Sequence, residues 1–410
     1  MRRKVRKIIV PLFAFGVILS VAVLGSVAFF SAKMPDSFYS ADSALNLNSD
    51  YPISAHRAES LSAVNSNPKG SYQAVLKIFG VIPVKKIQVV AVDATDVILL
   101  GESFGIKIFT KGVVISDIQP VDTSGGNVDA GREAGLKKGD IILCINGEEI
   151  NTSEQAAAII SSCGGESIKI LAKRGEKTFD AVLNPQYSAS EKTYKAGLWV
   201  KDSSAGIGTL TFYSPSHNVV AGLGHGVIDP DISTLLPLGF GEMVPAEIFS
   251  VAKSRNGSPG ELKGRFKSGI IGSIYANDET GVFAEPNEPL MGQSVSLALK
   301  QEVEIGAAQI ITTLDSSGAQ SFDCKISKIN YNSGEKTKNM LITVTDPRLL
   351  EATGGIVQGM SGSPVIQNGK LVGAVTHVLV DDPTRGYAIF AENMLETAQS
   401  VAEEKLEEAS

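Results

Sequence analysis

Residues 355–382 read GIVQGMSGSPVIQNGKLVGAVTHVLVDD, and Ser361 stands there in a tight loop between glycines, with two strand-like runs behind it. A nucleophilic serine needs an exposed Oγ, a neighbouring base, and backbone N–H groups aimed at the oxyanion that forms on the attacked carbonyl. Glycines let the chain turn tightly enough for such donors to converge. Gly359, Gly362 and Pro364 supply that pattern around Ser361. The chain from about residue 190 onward is Gly-rich and reads as strands and turns, including a hairpin around Ser214–Asn218, so a β-barrel or sandwich is expected.

Working outward from Ser361, the base has three candidates. His225, in GLGHGV, lies at the end of an apolar strand between two glycines, where a ring can reach a cleft. His377, on GAVTHVLV, and His217, in the hairpin turn, are the alternatives; a lone strand histidine is more commonly a satisfied structural residue. The group that orients the imidazole is least fixed by spacing. Asp346, in TVTDPRLL, ends a strand ahead of the serine loop, while Asp229 and Asp231 are close to His225 in sequence.

The loop resembles the G-x-S-G-G-P segment of trypsin-like serine peptidases, with Met360 and Ser363 at the two variable places. That resemblance implies a double β-barrel peptidase domain over residues 190–410 and an oxyanion hole formed by the N–H groups of Gly359 and Ser361. Methionine at 360 cannot pair with a newly cut N-terminus as an acid does there, so control of such an enzyme must come from elsewhere.

At the other end, Arg2, Arg3, Lys4, Arg6 and Lys7 precede an uncharged, almost wholly apolar run from Ile8 to Phe30. A helix of about 23 residues reaches roughly 35 Å, enough to cross the hydrocarbon core of a bilayer. The basic flank should stay in the cytoplasm, so residues 1–30 read as a basic tip and an uncleaved signal-anchor, with the rest exported. Residues 31–71 read as a flexible, Ser- and Asn-rich linker where proteolysis can act, and residues 72–100 as a strand-rich lead-in.

Residues 101–185 resemble a PDZ domain, through Gly135-Leu136, Gly139-Asp140, the apolar strand to Ile145, the Asn146-Gly147 turn, and a helix that Thr152 and Gln155 open as a capping box. PDZ domains add an extended peptide as a strand to an exposed edge. The resemblance places that edge at Phe104–Ile108 and the carboxylate-binding loop on Ser103, Phe104, Gly105 and Ile106. The helix opposite carries Ala156 and Ile160, with no histidine at its start to select a ligand class.

Composition bounds the rest. The 410 residues include 37 basic and 44 acidic side chains, a net charge of −7, the wrong sign for gripping nucleic acid along the chain. Cys144, Cys163 and Cys324 are too few and scattered for a disulfide scaffold, and the four histidines form no metal motif, so neither a cofactor nor a metal is expected. Cys144 and Cys163 read as two buried thiols, and AENMLETAQSVAEEKLEEAS at the C-terminus as a packing helix.

The order of membrane segment, PDZ domain and GMSGSP domain, together with GLGHG around His225 and VTDPRLLEATGGIVQGMSGSP from Val344 to Pro364, is similar to the SpoIVB family of stage IV sporulation serine peptidases. The resemblance implies a mainly β chain and a triad of His225, Asp346 and Ser361. It also implies an enzyme exported from the forespore and anchored in its inner membrane. There it would cleave itself, pass into the intermembrane space, and cut the extracytoplasmic part of a SpoIVFA-like membrane inhibitor, which activates intramembrane processing of pro-sigma K. Two other readings are an inert PDZ scaffold and an HtrA-like quality-control protease, although in the latter group the PDZ domain follows the peptidase.

Overall fold

The computed structural model describes residues 2–41, 45–47, 52–57, 70–229, 234–332 and 334–408. An N-terminal helix runs from Arg2 to Lys33, and within it Phe13–Lys33 is long and apolar enough to cross a membrane, with a mean hydropathy of 2.4. Its C-terminal end, through Val27 and Phe30, packs on a four-stranded sheet of Ser37–Ser40, Ile82–Ala91, Tyr72–Ile78 and Ile53–Arg57. Two of these strands fall within residues 31–71, expected to be a flexible linker. They are ordered because Phe38 and Ile53 bury against Leu76, Ile87 and Val89.

The remainder is built on two closed barrels, as the resemblance to trypsin-like peptidases implied. The first ring is Ser103–Ile118, Leu238–Ala252, Gly272–Asp278, Gly281–Pro286, Val219–Gly222 and Leu198–Ser214, closed where the last strand pairs with the first. Phe104, Ile106, Ile108, Leu210, Val220 and Met243 are among the side chains that fill it. The second ring is Gly306–Thr313, Ala319–Ile329, Met340–Val344, Arg385–Phe390, Lys370–Val378 and Pro364–Gln367, filled by residues such as Ile310, Phe322, Ile342, Val375 and Phe390. The C-terminal helix Ala391–Glu408 packs Met394, Leu395 and Ala398 into a third cluster with Phe212, Ala221, Phe283, Leu371 and Ile389, which spans both barrels.

The PDZ-like module is an insertion in the first barrel. The chain enters it along Ser103–Ile118, whose first half is barrel wall and whose Val113 and Val114 pair with Ile142 and Ile141 of the module. It leaves along Leu198–Ser214, hereafter the spine strand, which pairs with the entering strand from Leu198↔Ile118 to Thr209↔Ser103. Between them, Ile141–Ile145, Ile168–Arg174 and Lys177–Leu183 form the module's sheet, and the helix Ser153–Ser162 buries Ala156 and Ile160 against Val113, Ile115, Ile145 and Ile170. Thr152 and Gln155 form the expected capping box. In the Gly-Asp turn, buried Asp140 accepts from Arg174 at 2.6 and 2.7 Å and from Lys137 N at 2.8 Å. Cys144 and Cys163 are free and half-buried rather than buried.

This topology corrects two expectations. Peptidase-barrel structure begins well before residue 190, and Ser103, Phe104, Gly105 and Ile106 are not a peptide-binding loop. All four are buried in a strand paired on one side with Gly206–Thr209 and on the other, through Phe104–Ile106, with Met243–Pro245, so no backbone edge is free to receive another strand. A Cβ on Gly105 would come within 2.4 Å of Phe266. Replacement of the fully buried Phe104 by alanine should therefore cost about 3–5 kcal/mol of stability in chemical denaturation of the full chain in detergent micelles. A near-neutral effect would instead fit a ligand-facing side chain.

Candidate active site

The serine loop hangs between the second barrel and the spine strand. Gly359 (φ +96°) and Gly362 (φ +92°) adopt the left-handed conformation on either side of Ser361. At Gly362 the constraint is severe, since a Cβ would lie 2.0 Å from Thr209 O and 2.5 Å from Leu223 N. Thr209 holds the loop from the spine strand: its N–H donates to Ser361 O at 2.9 Å and its hydroxyl to Gly359 O at 2.9 Å, while Thr211 Oγ1 donates to Gly362 O at 2.8 Å. Gly362 N donates to Val375 O and Ser363 N to Met360 O, with Met360 fully buried. Among the described residues the N–H groups of Gly359 and Ser361 donate to no protein acceptor, as free oxyanion-hole donors require. Sequence reasoning missed Thr209 and Thr211, whose only signal is the pair of hydroxyls at alternate positions of the run GTLTF.

His225 arrives from the first barrel. It follows the strand Val219–Gly222 through Leu223 (φ +66°) and Gly224 (φ +68°), and a Cβ on Gly224 would come within 3.0 Å of Ile389 and 3.1 Å of Thr376 of the second barrel. Asn277 clamps the chain just beyond, accepting from Val227 N at 2.7 Å and donating to Val227 O and Leu236 O at 3.0 Å. The His225 Nδ1 lies 2.9 Å from Gly226 O, and its ring stands 5.0 Å from that of His377, tilted by 36°. The Ser361 hydroxyl donates to Thr376 O at 2.8 Å, on the residue preceding His377.

Ser361, His225 and His377 are thus assembled where the two barrels meet. Burial lowers the pKa of His225 below the usual 6.5, and burial together with the His225 ring pushes His377 down to about 4. Both imidazoles are neutral at pH 7, the state in which a histidine can accept a proton. His377 Nδ1 is buried without a partner among the described residues. His217 lies in the hairpin turn, its Nδ1 at 3.0 and 2.9 Å from the hydroxyls of Ser214 and Ser216.

Asp346 sits in the second barrel as the N-cap of the helix Pro347–Thr353. Its carboxylate accepts from Arg348 N at 2.8 Å and Asp323 N at 3.2 Å and pairs with the Arg348 guanidinium at 2.7 Å. The hydrogen bonds from Arg348 hold its pKa well below the carboxylate range. The stability this contributes is present at neutral pH and is lost only in strong acid. In this arrangement its contacts lie within its own barrel, and the His225 Nδ1 faces a backbone carbonyl. Asp229 is buried near Lys201, 3.7 Å away, and Asp231 lies outside the described residues. No group of metal-ligating side chains occurs among the described residues.

With this geometry in place, comparison with known proteins is informative. Residues 192–395 match the model of the SpoIVB peptidase S55 family. The C-terminal half of the chain belongs to the SpoIVB peptidase S55 family. Residues 130–174 match a PDZ domain. No curated protein matches the chain significantly. Among solved structures, the PDZ domain of the SdrC-like protein from Listeria monocytogenes is 24% identical over 22% of this chain and 87% of its own, with a TM-score of 0.18. The Rv3671c protease from M. tuberculosis, in its active form, is 14% identical over 48% of this chain and 74% of its own, with a TM-score of 0.30. The HtrA-type protease AlgW with decapeptide is 17% identical over 50% of this chain and 55% of its own, also with a TM-score of 0.30. At these scores the structural likenesses carry no weight for function. The family match makes this chain a serine peptidase with an adjoining PDZ domain.

With His225 as the expected base, its lowered pKa would set the acid limb of peptidase activity. The pH dependence of kcat/KM should fall off with a midpoint below 6.5, because the free base persists to lower pH than in an exposed imidazole. A midpoint above 6.5 would show that a neighbouring carboxylate, rather than burial, governs His225.

Proposed function

We propose that the protein is an exported, membrane-anchored serine endopeptidase that cleaves itself and then a SpoIVFA-like membrane inhibitor, so triggering intramembrane processing of pro-sigma K across the forespore envelope. The observation that supports the catalytic part is that the chain leading to His225 passes the Ser361 loop at Leu223, and that the His225 ring stands 5.0 Å from His377, whose preceding residue accepts from the Ser361 hydroxyl, beside two unpaired N–H donors. The Ser361 hydroxyl turns from Thr376 O toward His225 and gives it its proton as Oγ attacks the peptide carbonyl. The N–H groups of Gly359 and Ser361 hold the oxyanion, and His225 returns the proton to the leaving amine before water releases the acyl group. The apolar helix Phe13–Lys33 supports the anchor, and the match to the S55 family supports the signalling role.

Asp346 is proposed as the third member on the strength of the family resemblance. To orient His225 it must exchange its Arg348 partner for the imidazole. Asp346→Asn therefore separates two roles: a loss of turnover of at least about a hundredfold with an unchanged melting temperature fits an orienting carboxylate, whereas a matched loss of both fits a helix cap alone.

Self-cleavage is tested by intact mass of the purified full chain in detergent over time. Wild type should shorten, with a cut between the membrane helix and the barrels, while Ser361→Ala and His225→Ala stay intact. Shortening of the Ser361→Ala chain at the wild-type rate would overturn the assignment, and a wild type that cuts neither itself nor a SpoIVFA-like ectodomain would favour an inert scaffold. Restricted cleavage of the ectodomain with casein left whole supports signalling over quality control.

A further inference from the structure

Residues 77–86 read KIFGVIPVKK, an uncharged apolar run bracketed by Lys77 on one side and by Lys85 and Lys86 on the other. They form the hairpin that joins Tyr72–Ile78 to Ile82–Ala91 in the sheet beside the N-terminal helix. Ile78, Ile82 and Val84 pack on the core of that sheet with Leu76 and Ile87. Phe79 and Val81 stand at the tip instead, each 75% exposed, and Pro83 beside them is exposed as well.

The turn itself is strained. It closes from Val81 N to Ile78 O at 3.0 Å, with Phe79 at φ +50° and Gly80 at φ +70°. A two-residue hairpin turn with both central residues left-handed favours Asn, Asp or Gly at its first place, because a bulky side chain is an outlier there. Phe79 takes that place and then leaves its ring in the open, so neither backbone preference nor core packing accounts for it. Strain of this kind points to a use outside the fold.

The direction of the tip supplies the partner. Beyond the helix, Ser37–Ser40 lies parallel to Ile82–Ala91, from Ser37↔Gln88 to Ser40↔Ala91. The helix end is therefore level with the start of that strand: Lys85 Nζ donates to Met34 O at 2.7 Å and pairs with Asp36 at 2.8 Å. From Lys85 the strand leads back to the turn, and from Met34 the helix leads back the same way into the apolar stretch Phe13–Lys33. Val27, well inside that stretch, packs on the same cluster as Ile82 and Val84. Lys85 to Val81 covers up to about 13 Å of strand, the length of about nine helical residues, so the tip reaches back beside the apolar span.

We propose that the hairpin tip Phe79–Val81 inserts into the bilayer that the helix crosses, on the side of the barrels. Phe79, Val81 and Pro83 would lie among the upper acyl chains, with Lys77 and the exposed Lys86 at the level of the headgroups. This rests on reading Phe13–Lys33 as membrane-spanning and adds a second lipid contact that does not pass through the helix. A cut within residues 31–71 leaves the hairpin on the peptidase side, as a lipid contact too small for a stable anchor by itself.

Depth-dependent fluorescence quenching tests the contact. The full Ser361→Ala chain is reconstituted in phosphatidylcholine–phosphatidylglycerol vesicles, and Trp199→Phe removes its one tryptophan. A single tryptophan is then placed as Phe79→Trp, as Val81→Trp outside the strained position, or as Phe29→Trp on the helix, where Phe29 is 50% exposed. Lipids brominated near the top of the acyl chain should quench all three at least about twofold relative to the exposed Trp199 of the parent chain, with blue-shifted emission. Quenching of Phe29→Trp with neither tip tryptophan quenched overturns the hairpin contact alone. No quenching at any of the three overturns the membrane reading of the helix and the hairpin contact with it.

Discussion

The spine strand is the constraint on which the rest depends. Leu198–Ser214 is one continuous strand that pairs with the PDZ-like module at its start and closes the first barrel along its middle. Near its end, through Thr209 and Thr211, it holds three backbone carbonyls of the serine loop. Between its module end and its barrel part the ladder with Ser103–Ile118 shifts register twice, at Trp199/Val200 and Lys201/Ser203, so one chain serves both with bulges between them. The module and the serine loop are therefore joined through one strand, with no flexible tether between them.

The same strand explains the glycine at 362. The loop lies so close to Thr209 and Leu223 that any side chain would collide with backbone, and the left-handed turn lets the loop carbonyls meet the two threonine hydroxyls. His225 is brought up by the opposite device, a turn through Leu223 and Gly224 pressed on the second barrel. Each barrel contributes one of the two side chains proposed to react, and their packing, continued by Phe212, Ala374, Ile389 and Met394, sets the separation between them.

Much of this was legible in the sequence because it depends on local signals. The GMSGSP loop needs glycines for its turn and the helix Ser153–Ser162 needs its capping box, and both are written in consecutive residues. The PDZ edge was misplaced because Ser103–Ile108 alternates like a strand of either module; its partners, the spine strand and Leu238–Ala252, come from more than ninety residues away and decide its role. The insertion of one module into the other was invisible for the same reason. Asp346 shows the remaining gap: the motif places it ahead of the serine, but only the fold reveals that Arg348 and the helix N-terminus hold its carboxylate.

The central claim is that Ser361 is a nucleophile activated by His225. Treatment of the full chain with a fluorophosphonate, followed by peptide mass mapping, reads this without a substrate. The account predicts a single adduct on Ser361, at least about a hundredfold slower in His225→Ala than in wild type. Labelling of another residue, or no difference between wild type and His225→Ala, would contradict it.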